Sequence, residues 1–333
     1  MKKISVALLF GGESGEREVS LVSGQAVFSA LQKNEKFTVE KFDTKFQLPA
    51  FLKNLEKFDV VFPVLHGPGG EDGTLQGLCE FLKIPCVGAR SRASANCMHK
   101  AVSKMFFRAA GIPVAPDIFM CKFTGSFTWQ RNGGQILQTE NFTEILEAAE
   151  SSLGFPIVVK PATNGSSVGV RIVKNQKGLL EICQEIFSEI DSEILLEKFL
   201  PGKEITVGVL GNLPELQAFA PIEIVANTGE FYDFQSKYSP GGSTHHLPAR
   251  IGEGLLQRAQ DLACKAHTAL GCAGFSRTDF MLHENELHCL EINTIPGFTP
   301  TSLFPESAQH AGISFGELCE RLIFLALNFS QKK

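Results

Sequence analysis

The apolar segment at residues 4–10 is the feature that most limits how this chain can fold. Its sequence, ISVALLF, is typical of a strand buried on both faces of a parallel sheet. A glycine-rich turn at 11–15 follows, and then a helical pattern at 16–32. DVVFPVLH at 59–66 repeats the order of strand, loop and helix. The pattern predicts an N-terminal α/β domain with a parallel sheet over residues 1–92.

The rest of the chain has a different pattern, with strands that follow one another through turns. PIVVKP, VGVRIV, ILLEKFL and EITVGVLG are short apolar runs of strand type, and one helix is predicted at 176–190. The last third adds a helix at 253–270, a hairpin at 273–293 and a closing amphipathic helix. SFTWQRNGGQ is predicted to be a surface hairpin or loop. We therefore expect two further domains, at 93–202 and 203–333.

Composition and charge exclude several classes of partner. The chain has 333 residues, 44% of them hydrophobic, and a formal net charge of −5 with dispersed Lys and Arg. This balance gives no basis for a nucleic-acid partner, and no apolar run is long enough to cross a membrane. The nine cysteines lack C-x-x-C spacing and are typical of reduced thiols in a cytoplasmic protein. The apolar start is interpreted as a buried strand rather than a signal peptide.

The segment GFSRTDFMLHENELHCLEINT contains a charged hairpin. Its turn is predicted to have three residues centred on Asn285. Asp279 then lies opposite Glu291, and Arg277 lies opposite Asn293. Because side chains alternate along a strand, all four project from one face of the sheet.

Two facing acids on this hairpin need a positive charge between them. Carboxylates about 5 Å apart repel by about 3 kcal/mol at an effective dielectric of about 20. Mg²⁺ bound by carboxylate and amide oxygens would relieve that repulsion, and it commonly shares its ligands with substrate phosphates. The alternative is a solvated polar face on which Arg277 bridges the two acids.

A loop rich in small residues follows a strand in VVKPATNGSSVGV. Lys160 ends the strand, and small side chains let backbone N–H groups approach phosphate oxygens. In LLEKFLPGKE, Glu197 and Glu204 can accept hydrogen bonds from an adenine amine and a ribose. Main-chain groups of Lys198 and Leu200 can contribute to the same site. The alternatives are a plain hairpin turn and solvated surface acids.

Both tyrosines of the chain lie in FYDFQSKY at 231–238, although the chain has 28 phenylalanines. A buried phenol hydroxyl needs a hydrogen-bond partner, so phenylalanine suits a core better than tyrosine does. The clustering of Tyr232 and Tyr238 favours a functional role for this segment. The alternative is two exposed tyrosines on a strand.

Together these segments resemble the ATP-grasp ligases and, within them, the D-alanine:D-alanine ligase family. The resemblance covers almost the whole chain and rests on LFGGESGEREVSLVSG, LHGPGGEDGTLQG, KPATNGSSVGV, EKFLPGKEITV, SKYSPGGSTHHLPA, SRTDFM and LEINTIPGFTPTSLFP. It implies an α/β fold in which a Rossmann-like domain is followed by two β-sheet-containing ATP-grasp domains that hold ATP. It also implies a cytoplasmic homodimer that makes a peptidoglycan precursor. In the implied reaction, ATP phosphorylates one D-alanine and the amine of a second attacks the acyl phosphate.

The resemblance also implies roles for individual residues. Those implied to contact ATP are Lys100, Lys160, Ser166, Ser167, Glu197, Lys198, Leu200 and Glu204. Those implied to hold two Mg²⁺ ions, for which Mn²⁺ can substitute, are Asp279, Glu291 and Asn293. Those implied to bind the two D-alanines are Glu16, His66, Lys237, Ser302 and the Leu303 backbone. The oxyanion of the reaction would be stabilised by Arg277 and the Gly297 N–H.

The tyrosine segment resembles a loop that closes over both D-alanines, and we expect such a lid at about residues 232–248. In the family, the tyrosine that matches Tyr238 hydrogen-bonds through the serine that matches Ser166 toward the glutamate that matches Glu16. A phenylalanine cannot make this link. One departure from the family pattern is His99, which stands where relatives often have aspartate, and it leaves the orientation of the next lysine open.

Other functional classes account for part of the sequence. A nicotinamide dehydrogenase would explain a glycine-rich turn after the first strand, but the order of the glycines differs from G-x-G-x-x-G. A non-catalytic ATP-grasp module is a further alternative. The presence of Lys160 together with Asp279, Glu291 and Asn293 argues against it, because a binding module does not need two metal sites. Within the ligases, D-lactate or D-serine as the second substrate is the alternative to D-alanine.

Overall fold

The N-terminal part of the chain is a parallel sheet with helices packed against it. The computed structural model describes residues 2–165, 169–227 and 241–331. The first strands are β1 (Ile4–Phe10), β2 (Phe37–Asp43) and β3 (Val60–Pro63), with β1 at the centre. The helices here are α1 (Arg17–Gln32), α2 (Thr44–Lys53), a short 3₁₀ helix (Leu55–Lys57) and α3 (Thr74–Phe81). The predicted parallel sheet is confirmed, although β2 and α2 were not predicted.

The middle part of the chain forms an antiparallel sheet. Its strands are β4 (Asp117–Phe123), β5 (Ser126–Arg131), β6 (Leu137–Thr139), β7 (Ile157–Pro161), β8 (Arg171–Val173) and β9 (Glu193–Lys198). Their order is β6-β5-β4-β9-β7-β8. The helices of this part are α4 (Ser91–Met98), α5 (Lys100–Ala109), α6 (Phe142–Leu153) and α7 (Gln176–Glu189). SFTWQRNGGQ, predicted to be a surface hairpin or loop, forms strand β5 and the turn toward β6, with which β5 pairs antiparallel. Its Trp129 is buried in the core of this sheet.

The last part of the chain forms a second antiparallel sheet. Its strands are β10 (Lys203–Asn212), β11 (Glu215–Ala218), β12 (Ile222–Ala226), β13 (Ser243–His246), β14 (Gly274–His283) and β15 (Glu286–Asn293). Their order is β13-β12-β10-β14-β15, and β11 pairs with β10. The helices are α8 (Glu253–Ala269), α9 (Leu303–His310) and α10 (Phe315–Gln331). Of the helices described, none is long and apolar enough to cross a membrane.

The β14–β15 hairpin has the predicted pairing but a different turn. Its loop has two residues, Glu284 and Asn285, both at positive φ, which is the backbone of a type I′ turn. The predicted three-residue turn is therefore wrong. A bulge between Asp279 and Phe280 makes Leu290 the extra residue of β15. Beyond the bulge, Asp279 pairs with Glu291 as predicted.

A hydrophobic cluster joins the N-terminal sheet to the last part of the chain. Phe298 is fully buried, and its ring centroid lies 5.9 Å from that of Phe62 and 5.7 Å from that of Phe275. Helix α10 packs its apolar residues into the same cluster. Because the first and last parts of the chain share this core, the domain boundaries after residues 92 and 202 stay predictions.

Replacing Phe298 with alanine should lower the free energy of unfolding by about 3 to 5 kcal/mol, because it leaves a cavity where a buried ring was packed. Urea denaturation measures this loss. Phe81→Ala is the matched control, because Phe81 is 84% exposed. Its effect should stay within about 0.5 kcal/mol. Equal losses in the two variants would contradict the role given to this cluster.

Candidate active site

The β14–β15 hairpin borders two adjoining cavities. The first, which we call the inter-sheet cavity, lies between the two antiparallel sheets and has a volume of about 130 Å³. The second, which we call the loop cavity, has a volume of about 290 Å³ and is lined by the loops after β1, β3 and β15. The side chain of Glu291 lines both.

The predicted site residues divide between these cavities by their implied ligand. Those that line the inter-sheet cavity are Lys100, Lys160, Glu197, Lys198, Leu200, Glu204, Asp279 and Glu291. Those that line the loop cavity are Glu16, His66, Arg277, Glu291, Asn293, Gly297, Ser302 and Leu303. The fold therefore collects segments that are distant in sequence into one continuous site.

Asp279 is surrounded by hydrogen-bond donors. Arg277 Nε and Nη2 donate to its two oxygens at 2.9 and 2.8 Å, and Thr206 Oγ1 donates at 2.5 Å. Asn293 Nδ2 donates at 3.2 Å. Arg277 thus contacts one of the facing acids, while Lys100 Nζ lies 3.5 Å from Oε2 of the other, Glu291. Cationic side chains accompany both acids in this arrangement.

The oxygen atoms on this face fit Mg²⁺. Asp279 and Glu291 provide carboxylates, and Asn293 provides an amide, which are ligand types that Mg²⁺ accepts. In the part of the chain that the structure describes, no three His, Cys, Asp or Glu side chains form a metal-binding cluster. An ion bound here would therefore complete its coordination with substrate phosphates and water.

Lys100 is oriented by the start of helix α5. His99 caps this helix, because its Nδ1 accepts a hydrogen bond from the Val102 N–H at 3.3 Å. With Nδ1 as acceptor, the proton lies on Nε2, which is 3.0 Å from Glu193 Oε2. Lys100 Nζ donates to the Asn164 carbonyl at 2.5 Å. His99, at a position where relatives often have aspartate, therefore caps helix α5 as an aspartate would.

The carboxylate of Glu197 is enclosed between two lysines. It is 2% exposed and contacts Lys160 with one oxygen and Lys104 with the other. Burial raises the pKa of Glu197, but the charges of Lys104 and Lys160 lower it to about 2. Each carboxylate oxygen can accept more than one hydrogen bond, so the implied contact with an adenine amine stays a prediction. The side chain also positions Lys160 beside the cavity.

The remaining residues implied to hold adenosine line the cavity between the sheets. The Lys198 N–H donates to the Pro116 carbonyl at 3.0 Å, so this main-chain donor is occupied within the fold. Leu200 is buried and gives the cavity an apolar wall. Glu204 lies near the start of β10, opposite Met281 of β14. The contacts of Lys198, Leu200 and Glu204 with adenosine stay predictions.

Glu16 lies where the loop after β1 meets the phosphate loop. A Cβ atom on Gly67 would be 3.1 Å from Glu16 Oε2, and one on Gly165 would be 3.5 Å from it. Gly67 has a φ of +74°, a region that favours glycine. The small residues therefore let the Glu16 carboxylate approach both loops closely.

His66 is buried beside Glu16 and is held as one tautomer. Its Nδ1 lies 3.1 Å from the Ile295 carbonyl, which only accepts, so Nδ1 carries the proton. Its Nε2 lies 3.4 Å from Ser23 Oγ. Burial lowers the pKa of His66 despite the opposing charge of Glu16. The ring is therefore neutral and orients the loop after β3 rather than carrying charge.

Ser302 precedes helix α9 and faces Gly297. Its Oγ accepts a hydrogen bond from the Thr299 N–H at 3.0 Å. A Cβ atom on Gly297 would lie 3.2 Å from Ser302 Oγ. The first backbone N–H groups of a helix, here beginning at Leu303, have no intrahelical acceptor and attract anions. This geometry suits the carboxylate of an amino acid.

Glu71 is a residue of the loop cavity that was not singled out from the sequence. It accepts a hydrogen bond from the Gly67 N–H at 2.8 Å. Burial, and then the charge of Glu16, raise the pKa of Glu71 to about 8. The signal that could have identified it is an acid inside the glycine-rich segment after β3, LHGPGGEDGTLQG. Two carboxyl groups therefore converge in this cavity, where they can accept hydrogen bonds from a bound ammonium.

Several implied site residues lie outside the described residues. These are Ser166, Ser167, Lys237 and Tyr238, together with Tyr232 and the first part of the predicted lid. Their roles stay predictions.

Two antiparallel sheets around a lysine-lined cavity, joined to a parallel-sheet domain, define the ATP-grasp architecture. Residues 38–89 match the family model of the D-ala D-ala ligase N-terminus, and residues 106–324 match that of the D-ala D-ala ligase C-terminus. The chain is 44% identical to a D-alanine–D-alanine ligase of Syntrophobacter fumaroxidans, over 98% of each chain. It is 41% identical to that of Desulforamulus reducens, over 97% of this chain and 99% of the relative. The chain belongs to the D-alanine–D-alanine ligase family.

Solved structures agree with this family and with the predicted fold. The D-alanine–D-alanine ligase of Bacillus anthracis, in complex with ATP, superimposes with a TM-score of 0.81 at 29% identity over 99% of each chain. A D-Ala:D-Ser ligase of Enterococcus faecalis superimposes with a TM-score of 0.80 at 31% identity, over 98% of this chain and 100% of the other. The prediction of an ATP-grasp fold is confirmed.

Replacing Glu71 with glutamine should flatten the pH dependence of stability. The folded state keeps a proton on Glu71 that the unfolded chain releases, so the free energy of unfolding should fall as pH rises from 4.5 to about 8. Glu71→Gln removes this fall. Denaturant titrations from about pH 5 to about pH 9 measure it. Glu13→Gln, an exposed position in the preceding loop, controls for the loss of one carboxylate, and an identical slope in wild type and Glu71→Gln would refute the assignment.

Proposed function

We propose that this protein uses ATP to join two D-alanines into D-alanyl-D-alanine, with release of ADP and phosphate, for peptidoglycan precursor synthesis. The observation that carries the proposal is the junction of the two cavities at Glu291. A phosphate held by lysines in one cavity would be adjacent to an amino acid held in the other. Membership of the D-alanine–D-alanine ligase family supports the same reaction.

The inter-sheet cavity is proposed to bind ATP. Lys100 and Lys160 provide positive charges for the phosphate oxygens, and Leu200 and Glu204 line the remainder of the nucleotide site. Ser166 and Ser167 are proposed to add contacts from the phosphate loop. Asp279, Glu291 and Asn293 are proposed to hold two Mg²⁺ ions, for which Mn²⁺ can substitute. These ions would neutralise phosphate charge.

The loop cavity is proposed to bind the two D-alanines. Glu16 pairs with the ammonium of the first, and Glu71 adds a second carboxyl group beside it. Neutral His66 keeps this loop in place. The second D-alanine would direct its carboxylate to Ser302 and the Leu303 N–H at the start of α9, with Lys237 as a further partner.

The reaction then proceeds in two steps. A carboxylate oxygen of the first D-alanine attacks the γ-phosphorus of ATP, and the bond to the ADP oxygen breaks. The neutral amine of the second D-alanine attacks the acyl carbon, loses a proton, and expels phosphate. Arg277 and the Gly297 N–H are proposed to stabilise the oxyanion. Positioning and charge neutralisation account for the catalysis, so no covalent enzyme intermediate is needed.

Three finer statements belong to the same proposal. We infer that the protein acts in the cytoplasm, that it forms a homodimer, and that Tyr238 and Ser166 link the lid to Glu16. The support for these is the resemblance of the sequence to the family.

The function is tested by offering the purified protein ATP, Mg²⁺ and D-alanine. We expect ADP release that depends on D-alanine, with D-alanyl-D-alanine identified by mass spectrometry. Parallel reactions contain D-alanine with D-serine or D-lactate, L-alanine alone, or NADH. A product that is mainly D-alanyl-D-serine or the depsipeptide would overturn the assignment of the second substrate.

Asp279→Asn should lower Mg²⁺-dependent turnover by about 100-fold or more, because a carboxylate ligand is replaced by a neutral amide. Glu291→Gln should have a similar effect. Glu284→Gln is the matched control, since it removes a carboxylate from the exposed tip of the same hairpin. Turnover at limiting Mg²⁺ is measured for all three, and near-normal activity of Asp279→Asn would show that the hairpin acids do not hold the metal.

A further inference from the structure

An ion-pair network connects the surface of helix α5 to the inter-sheet cavity. Arg108 contacts Asp117, and Lys104 Nζ lies 2.9 Å from Asp117 Oδ2. Lys104 also contacts Glu197, whose other oxygen contacts Lys160. Positive and negative charges alternate through these five side chains. The network ends at Lys160, which lines the cavity.

Lys104 is the centre of this network and has no exposure to solvent. Its side chain is 0% exposed, and its Nζ also donates to the Ala115 carbonyl at 3.0 Å. Burying a charged lysine is costly unless it is paired and hydrogen-bonded. It lines neither of the two cavities. Lys104 therefore acts on a ligand through the groups that it contacts, which are Glu197, Asp117 and the Ala115 carbonyl. Of these residues, Glu197 and Ala115 line the inter-sheet cavity.

The charges of the network decide how much positive charge Lys160 presents to the cavity. Glu197 lies between Lys104 and Lys160, so two lysines share its negative charge. Without Lys104, Glu197 would pair with Lys160 alone and would neutralise more of its charge. The strength of this effect is greater in a buried site than in water.

We propose that Lys104 is a positioning residue for nucleotide binding: it neutralises Glu197 from behind, so that Lys160 presents its charge to the nucleotide phosphates. The inference rests on the proposed function in one respect, which is that the ligand is a nucleoside triphosphate. It does not depend on which amino acid is joined.

The protonation states of the network agree with this role. Burial raises the pKa of Glu197, and the two lysines lower it to about 2, so the carboxylate is ionised at neutral pH. Burial lowers the pKa of Lys160, but the charge of Glu197 raises it above its ordinary value. Lys160 is thus charged, and its field depends on how far Glu197 is already neutralised.

The test is the dissociation constant of ATP, measured by isothermal titration calorimetry without D-alanine. Lys104→Met should raise this constant by about tenfold or more, equivalent to about 1.4 kcal/mol. The KM for D-alanine at saturating ATP should change by less than about twofold, because the loop cavity is untouched. A general structural defect would weaken both ligands together.

Two further variants separate charge from packing. Arg108→Met removes the outer cation of the network, which contacts Asp117 and not Glu197, and should change the ATP constant by less than about twofold.

Lys104→Met combined with Glu197→Gln removes one cation and one anion, so it leaves no additional buried charge without a partner. Relative to Glu197→Gln alone, this double variant should change the ATP constant by less than about twofold, because Lys104 acts through Glu197.

If Lys104→Met does not fold, Lys104→Gln replaces it, because it removes the same charge and keeps a donor for the Ala115 carbonyl. The expected rise in the ATP constant is again about tenfold. ATP affinity in Lys104→Met equal to wild type would overturn the inference. A further loss of ATP affinity of about tenfold from Glu197→Gln to the double variant would overturn it as well, because Lys104 would then act without Glu197. Wild-type protein that binds ATP without forming D-alanyl-D-alanine would contradict the proposed function and leave this comparison valid.

Discussion

The register of the β14–β15 hairpin is the constraint on which both cavities depend. The two-residue turn at Glu284 and Asn285 alone would place Leu290 opposite Asp279. The bulge at Leu290 shifts the register by one residue, so Asp279 faces Glu291 instead. A one-residue step moves every side chain of a strand to the other face. One extra residue in β15 thus decides that carboxylates, rather than an apolar side chain, stand between the two cavities.

Each cavity contains charged or polar groups that match one of the two kinds of proposed ligand. Lys100 and Lys160 face the inter-sheet cavity, whereas Glu16 and Glu71 face the loop cavity. Phosphates suit the first, and an ammonium group suits the second. A charged side chain is costly to bury without a partner of opposite charge, and Lys160 accordingly contacts Glu197. Ligand binding therefore rearranges charges that are already compensated, rather than filling a site with uncompensated ones.

The sequence was sufficient where a pattern is local. The buried run at β1 predicted a parallel sheet. The predicted pairing of Asp279 with Glu291 is correct because the bulge offsets the error in the predicted turn. The sequence was not sufficient where the backbone conformation of a residue, or its interaction partner, depends on distant parts of the chain. The turn was misjudged because Glu284 adopts a positive φ, which is uncommon for glutamate. Glu71 was missed because its raised pKa depends on Glu16, 55 residues earlier in the chain, and on burial that only the fold creates.

Helix α5 carries two lysines near the inter-sheet cavity, one that lines it and one that lies behind its lining. Lys100 and Lys104 are four residues apart, so they lie on the same face of the helix. Lys100 stands at the helix N-terminus, where the partial positive charge of the helix adds to its own, and Glu291 lies 3.5 Å away. Lys104 lies one turn further on, behind Glu197. The cap at His99 fixes where the helix begins, and it thereby fixes both lysines relative to the cavity. A shift of the sequence by one residue along this helix would rotate both side chains by about 100°, away from Glu197 and Glu291 together.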